Sequence, residues 1–512
     1  MKKFGWTLFY IFIFSLLIFN SFSYLDPDFG WHLRFGEIIW QTKSLPHDQI
    51  FLWTLEGKTW VDHEWLANLL MYSIWSVGGY ILVSIIFALL PLLTIFIINK
   101  FLFTNFFKTI ETRVATAVFE TIAVVAMLPH LGVRIQEVTL FAVSILIIIL
   151  SQLHTNREKL LPWWLPVFFY LWACLHAGFF IGLIILFIWI CCETLLYYIP
   201  SLQKFGIQPL NKKILHYSIL ISGLSFIFTL ITPYGFTLYH FIFDYRDTFY
   251  QSHIQEWLSP FAFPIHYLQL TLNLLVITSF TGVVFSLCKK IPLFIYCIIF
   301  LLLYMAFKSV RHFPLLMASW FILIFPYFLP ELTTKIKNTY SKFISFFIFT
   351  SLLSLSIFFL LSADITTKPF TNYCKMYPCE AAYFLKNRPE LTKQLFNSYN
   401  FGGYLIGVSP ELRLFIDGRL PQYPFNDHSI LKEYYTFFDP AYSRKKLDEH
   451  GISTVLLQKN LPRHKINWFE KYFLGFEEKT IKSSSLLNHV STSSNWIKVY
   501  EDKNSLIFTR KQ

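Results

Sequence analysis

The residues best equipped for chemistry stand where the first apolar run stops. YLDPDFGWHLRFGEII places Asp26 and Asp28 two residues apart, with His32 one helical turn further on. A D-x-D pair offers oxygen ligands for a hard cation, or a general base. The competing reading is a solvated helix cap, because Asp is common at turns and Pro27 favours one here. TWVDHEW adds Asp62, His63 and Glu64 to the same polar stretch, 25–65. Its two ends therefore hold the carboxylates of Asp26, Asp28, Asp62 and Glu64 and the imidazoles of His32 and His63. Two readings stand level. One is a metal or acid/base cluster. The other is an interfacial belt, with tryptophans at headgroup level and charges facing water.

Arg134, Arg311 and His312 follow apolar runs and carry, or can carry, positive charge. Arginine suits a phosphate because its planar fork stays charged and binds oxygens bidentately. Contact with lipid phosphates or snorkelling is the alternative. Glu256 and Trp257 form a carboxylate–aromatic pair that suits a sugar ring, which has an apolar face and hydroxyl edges; an aromatic belt explains them equally. His176 lies in LHAG, between two apolar segments. Glu120 falls inside an apolar run, where a carboxylate either serves function or bonds a neighbouring helix. GxSxG, HExxH, a Walker loop and GxGxxG in a strand–helix setting are all absent. ATP hydrolysis, serine-hydrolase and zincin chemistry therefore have no support.

The elements that must position these residues are set by the composition. The chain has 512 residues, 55% hydrophobic and only 14% charged, too few charges to cover a soluble surface. The apolar residues come in blocks exceeding the ~18 that suggest a membrane span. The expected fold is a polytopic α-helical membrane protein with about eleven spans. These are 6–25, 79–101 (preceded by a short helix, 64–77), two within 114–153, two within 163–198, then 215–232, 268–287, 293–307, 313–328 and 343–361. The long runs must fold back, because at ~1.5 Å per residue each is about twice the hydrocarbon thickness. LPHLGVRIQE and LHAG are the expected turns. The basic start and apolar middle of the first segment also fit a signal peptide, but its length favours a retained helix.

The net charge of +12 is spread over short loops rather than gathered into a stripe, which excludes nucleic acid as the expected partner. With Lys2 and Lys3 inside, the basic loops KFLFTNFFKTIETR, HTNREK, SLQKFGIQPLNKK, CKK and ELTTKIKNTYSK all fall inside, as the positive-inside pattern asks. Every candidate residue above except Glu120, which lies nearer the inner side, then falls on the outer side. So does the tail, 362–512, after the multi-pass region 1–361. The tail reads as an α/β domain. Helices are expected at EAAYFLKNRPE and RKKLDEHG, strands at LFNSYN, RLFIDG and STVLLQ, and a hairpin at WIKVYEDKNSLIFTR. Asp417 and Arg419 suit an ion pair better than a ligand site. Of the seven cysteines, Cys374 and Cys379 (CKMYPC) are spaced to bridge in an oxidising compartment.

DPDFGWHLRFGEII resembles the first-loop acidic motif of the GT-C glycosyltransferases, where the oligosaccharyltransferase catalytic subunit typically has D-P-Y-F-N-x-R. The protein O-mannosyltransferases and the aminoarabinose transferases of lipid A belong to the same superfamily. LPHDQIFLWTLEGKTWVDHEWL, TPYG, IQEWLSP and YNFGGYLIG…RLFIDGR look like uncharacterised bacterial members. The resemblance implies a multi-pass enzyme of the bacterial cytoplasmic membrane, with its N-terminus cytoplasmic. It would pass a sugar from a polyprenyl-phosphate donor to an extracytoplasmic acceptor. By motif position, Asp28 or Asp26 would be the base or would hold a cation. Arg134, Arg311 or His312 would take the leaving phosphate. A divalent cation, Mg or Mn, at Asp26, Asp28 and Glu64 stays open, because metal dependence varies within the superfamily. The W-W-D peptide-binding signature is absent, so the resemblance does not extend to peptide N-glycosylation. The rival expectation is a non-catalytic assembly or export component for a surface glycopolymer.

Overall fold

The structure, a computed structural model, describes residues 2–205, 208–243, 248–260, 277–279, 281–282, 291–327, 329, 353–366, 368–374, 376–459 and 485–511. It is mostly helical and divides into two compact units. The first comprises Met1–Ser23, Ser84–Phe236 and Glu256–Ile365; the second comprises Tyr24–Val83, Thr237–Gln255 and Thr366–Gln512. The tail expected at 362–512 is thus joined in one unit by the first polar stretch and by a short segment from mid-chain.

In the first unit, α1 (Lys2–Ser23) is followed in the chain by α2 (Phe29–Thr42) and α3 (Trp65–Asn105), of which only the later part of α3 belongs here. A break at Gly79 (φ 58, ψ −157) interrupts α3, where a glycine can take a conformation closed to other residues. This is the boundary expected between the short helix 64–77 and the span from 79. Next come α4 (Ile110–Met127) and α5 (Gln136–Thr155). They are split by a turn in LPHLGVRIQE where Gly132 takes φ 128 and its N–H donates to Glu137 Oε1 at 2.8 Å. Asn20 of α1 donates to the carbonyls of Leu128 and Leu131 in that turn, using both amide hydrogens to tie α1 to the end of α4. The LHAG break separates α6 (Leu165–Leu175) from α7 (Phe179–Tyr198), and α8 is Lys212–Thr229. Helices Leu293–Lys308 and Phe313–Leu323 follow, joined through a tight turn, Val310–His312.

Among the described residues, five helices are long and apolar enough to cross a membrane: Gly5–Ser23, Trp65–Asn105, Ile110–His130, Gln136–Thr155 and Phe179–Tyr198. Most of the span expected at 268–287, the first part of that at 343–361, and the loops CKK and ELTTKIKNTYSK lie outside the described residues.

The second unit is built on a four-stranded sheet in the order β1-β4-β6-β5, with β1 Leu395–Asn397, β4 Thr454–Gln458, β5 Trp496–Glu501 and β6 Ser505–Arg510. β1 runs parallel to β4, and the other pairs are antiparallel. A separate short pair joins β2 (Pro424–Phe425) to β3 (His428–Ser429). The expected helices form as Cys379–Lys386 and Ser443–Glu449, the second stopping before Gly451 at φ 59.

The strand expected at RLFIDG does not form. Asn397 replaces the ladder: its Oδ1 accepts from Phe415 N–H and its Nδ2 donates to the Ile416 carbonyl, both at 2.9 Å. Just before, Leu414 exchanges backbone hydrogen bonds with Phe51 and Trp53 of the first polar stretch. Phe35, Phe51 and Trp60 share a buried core with Leu395, Leu456 and Ile507, which explains why that stretch belongs to this unit. Cys374 and Cys379 are disulfide-bonded.

Glu433, on the helix Ile430–Thr436, is 1% exposed and meets His428 Nε2 at 2.7 Å, His450 Nε2 at 2.7 Å and Lys446 Nζ at 2.9 Å. Burial alone raises a carboxyl pKa. The hydrogen bonds from His450, Lys446 and His428 outweigh it here and hold this one down at about 2.

Candidate functional site

The acidic motif lies in the second unit, and its two aspartates have different tasks. Asp26 closes the turn around Pro27, its Oδ1 accepting from Asp28 N–H at 2.9 Å and its carbonyl from Phe29 N–H at 3.2 Å. This is the turn-forming role that the spacing allowed. Asp28 is the N-cap residue of α2, yet its side chain makes no cap bond to the helix. Its Oδ1 accepts instead from Trp31 Nε1–H at 2.9 Å, one turn along. The same oxygen packs against Gly418 of FIDGR so closely that a Cβ there would lie 2.4 Å from it. A half-buried carboxylate clamped between an indole and a glycine is held in one orientation, as a general base must be. Nearby, Tyr377 donates to the Leu25 carbonyl at 2.7 Å and stacks on Tyr404. Burial, reinforced by Tyr24, Asp26 and Asp28, pushes its phenol well above the ordinary range, so it stays protonated.

His32, Asp62 and Glu64 do not face water as a belt would require: they are 7%, 0% and 7% exposed. Asn68 links two of them. Its Nδ2 donates to both Asp62 oxygens at 2.9 and 3.0 Å, leaving its Oδ1 to accept from His32 Nδ1–H at 2.7 Å. Burial lowers the imidazole's pKa to about 3, outweighing the Asn68 bond, so the ring is neutral near pH 7. Asp62 also accepts from Glu64 N–H at 3.3 Å, where α3 begins. Burial raises its pKa to about 6, against the opposing pull of Asn68, Glu64 N–H and Arg419. Glu64 lies 3.9 Å from His32 and 3.7 Å from His63, and His63 stacks on Phe241 at 4.8 Å. Among the described residues, no group of three or more His, Cys, Asp or Glu is arranged to hold a metal ion, so Asp26, Asp28 and Glu64 are not gathered into a ligand set.

Behind Gly418, Asp417 and Arg419 form a fully buried ion pair, with Nη2 to Oδ2 at 2.5 Å. The guanidinium carbon lies 5.0–5.3 Å from the rings of Phe35, Trp60 and Phe51. Gln49 accepts from the same Nη2 at 3.2 Å. This pair fixes the backbone that carries Gly418. Fully buried and paired, it is a poor place for a ligand and a rigid one for a support.

The other candidates lie in the first unit. Arg134 sits in the turn after α4, its N–H bonded to the Gly132 carbonyl. Arg311 sits in the Val310–His312 turn. Glu256 bridges them, with Oε1 2.7 Å from Arg311 Nη1 and Oε2 3.6 Å from Arg134 Nη1. Trp257 lies under the Arg311 guanidinium at 4.7 Å and meets the His312 ring edge-on at 6.2 Å. IQEWLSP is clipped in place: Val310 N–H donates to the Leu258 carbonyl and Ser309 Oγ to that of Glu256. The arginines and the carboxylate–aromatic pair, read separately in the sequence, form one partly exposed cluster.

His176 has a different place. Its Nδ1 accepts from Gly178 N–H at 3.0 Å and meets the Thr139 hydroxyl at 2.7 Å, while Trp172 Nε1 donates to Thr139. That arrangement locks the α6–α7 joint. Glu120 is buried against Asn99 of α3, whose Nδ2 donates to it at 2.9 Å. This is the helix-to-helix bond that was one of its two readings.

Compared with known proteins, the chain matches no family model and no curated protein. Sequence reasoning passed over Trp31, Asn68, Tyr377 and Gly418 as site residues. Trp31 carried a usable signal, since it lies three residues after Asp28 at helical spacing. Gly418 and Tyr377 carried none, because their partners are hundreds of residues away.

Proposed function

We propose that the protein is a membrane glycosyltransferase of GT-C type that moves a sugar from a polyprenyl-phosphate donor to an extracytoplasmic acceptor. The observation that carries this reading is the Asp28 carboxylate, held by Trp31 and Gly418 a few residues beyond a candidate membrane span. The acceptor hydroxyl gives its proton to Asp28. Its oxygen bonds to the anomeric carbon of the donor sugar, and the bond from that carbon to the phosphate oxygen breaks. The electron pair leaves with the polyprenyl phosphate. Arg134 and Arg311 supply positive charge for a phosphate group, and Glu256 holds both guanidiniums in place. Positioned proton transfer is worth roughly 10²–10⁴ in rate.

The reading places the chain in the bacterial cytoplasmic membrane with about eleven spans, its N-terminus cytoplasmic and its second unit outside. The disulfide between Cys374 and Cys379 supports an oxidising compartment for that unit. The bridging of both arginines by Glu256 favours a second reading, a non-catalytic assembly or export component for a surface glycopolymer.

The deciding experiment is transfer of radiolabelled sugar from polyprenyl-phosphate donors in membranes, wild type against Asp28→Asn at matched protein levels. The proposal expects wild-type transfer, reduced at least ~10²-fold in the variant. Equal transfer in both removes Asp28 from the mechanism. No transfer in either, across several donors, favours the second reading.

A further inference from the structure

Helix α2 has a second face that the site above does not use. Gly30, Arg34 and Glu37 recur on it at helical spacing, and opposite them α3 presents Tyr72, Trp75 and Ser76, before its break at Gly79. Phe370 and Gly407 complete the walls of a cleft of about 310 Å³, all within the second unit. That volume lies at the lower end of the ~300–1,000 Å³ of small-molecule sites.

Glycines shape one wall. The helix Gly402–Val408 crosses α2 so closely that a Cβ on Gly30 would lie 2.2 Å from the Gly403 carbonyl, and one on Gly407 would meet both Gly30 and Phe370. The polar groups are fixed rather than waving in solvent. Arg34 Nη2 donates to the Gly407 carbonyl at 3.0 Å, and its Nη1 is paired with Glu37.

We propose that this cleft binds a neutral sugar ring, and that on the transferase reading, on which this last step rests, the acceptor is itself a carbohydrate. Three aromatic rings, Tyr72, Trp75 and Phe370, suit the apolar C–H face of a pyranose. Arg34, Glu37 and Ser76 offer donors and acceptors for its hydroxyl edges. The two charges cancel, so an anionic ligand meets the Glu37 carboxylate and a cationic one meets Arg34. A neutral polyhydroxy ring with one apolar face meets no such opposition.

The test is saturation-transfer NMR on the full chain in lipid nanodiscs with no donor present. The probes are methyl α-glucopyranoside, methyl α-mannopyranoside and methyl β-N-acetylglucosaminide, with glucuronate and glycerophosphoethanolamine alongside. The proposal expects saturable binding of at least one neutral glycoside, weakened about tenfold or more by Trp75→Ala and by Glu37→Gln. Glu37→Gln preserves side-chain volume, so it carries the test if Trp75→Ala fails to fold. The inference is overturned if no neutral glycoside binds up to about 10 mM, if binding persists in both variants, or if only glucuronate or glycerophosphoethanolamine binds. Because binding is read without donor, its failure is separate from failure of the Asp28→Asn transfer test.

Discussion

Gly418→Ala tests the contact on which the candidate site depends. The new Cβ would lie 2.4 Å from Asp28 Oδ1, whereas ordinary contact starts near 3.4 Å, so about 1 Å of movement is required. The backbone at 418 is anchored on one side by the buried Asp417–Arg419 pair and on the other by Asn397 on the Ile416 carbonyl. The carboxylate is therefore the part that yields. Moving it 1 Å stretches the 2.9 Å bond from Trp31 beyond hydrogen-bonding range. Losing a charged hydrogen bond costs about 1.5–3 kcal/mol, and forced overpacking about 1–3 kcal/mol. Because one displacement relieves the other, the expected cost is about 2 kcal/mol rather than the sum. Asp28→Ala removes the opposing oxygen, so Gly418→Ala should cost little in that background, a coupling of about 1–2 kcal/mol. The assay is denaturant unfolding of the full chain in detergent, followed by tryptophan fluorescence, for the four members of the cycle. Coupling below about 0.5 kcal/mol refutes the clamp. On the transferase reading, a base misplaced by about 1 Å also lowers transfer on the order of 10²-fold.

His32 is neutral when buried, with its pKa lowered from 6.5 to about 3, so the stability it contributes is complete above pH 6.5 and lost as pH falls through that window. Wild type should therefore lose about 2 kcal/mol relative to His32→Gln between about pH 7.5 and about pH 5, measured by unfolding at each pH. Glu433 has the depressed pKa of a paired carboxylate, so its contribution is present above pH 4.5 and lost as pH falls towards about 2. Glu433→Gln should cost about 3 kcal/mol at neutral pH, with the gap to wild type narrowing in acid unfolding curves. Peptide mapping under non-reducing conditions should recover Cys374 linked to Cys379, with Cys174, Cys191, Cys192 and Cys297 as free thiols. Cys379→Ser should cost about 2 kcal/mol, the loop-closure value for so short a loop.

Much of the helical framework was legible because it rests on local quantities. Run length required the folds at LPHLGVRIQE and LHAG, and the boundary expected between 64–77 and the span from 79 falls on the break in α3 at Gly79. Short apolar, β-branched and aromatic runs marked β1, β4 and the β5–β6 hairpin around Asp502-Lys503-Asn504. The strand expected at RLFIDG failed for a non-local reason: its apolar pattern suits a ladder, but the side chain of Asn397 takes its backbone groups. The belt reading of Asp62 and His32 failed similarly. Composition placed them near a boundary, while Asn68 and the aromatic core around Arg419 draw them inside.

The sequence by itself determined the described apolar helices, their turns, the four strands of the main sheet and the chemistry available at each polar stretch, because each depends on residues within about twenty positions. Tertiary structure decided which of those chemistries are exposed and aimed. It assigned Asp26 to a turn and Asp28 to a clamp, joined Glu256 to Arg134 and Arg311, and set Gly30 against Gly403 to shape a cleft on α2. The physical reason is that burial, pKa and side-chain orientation are set by whatever packs alongside, and here the packing partners are up to several hundred residues away along the chain.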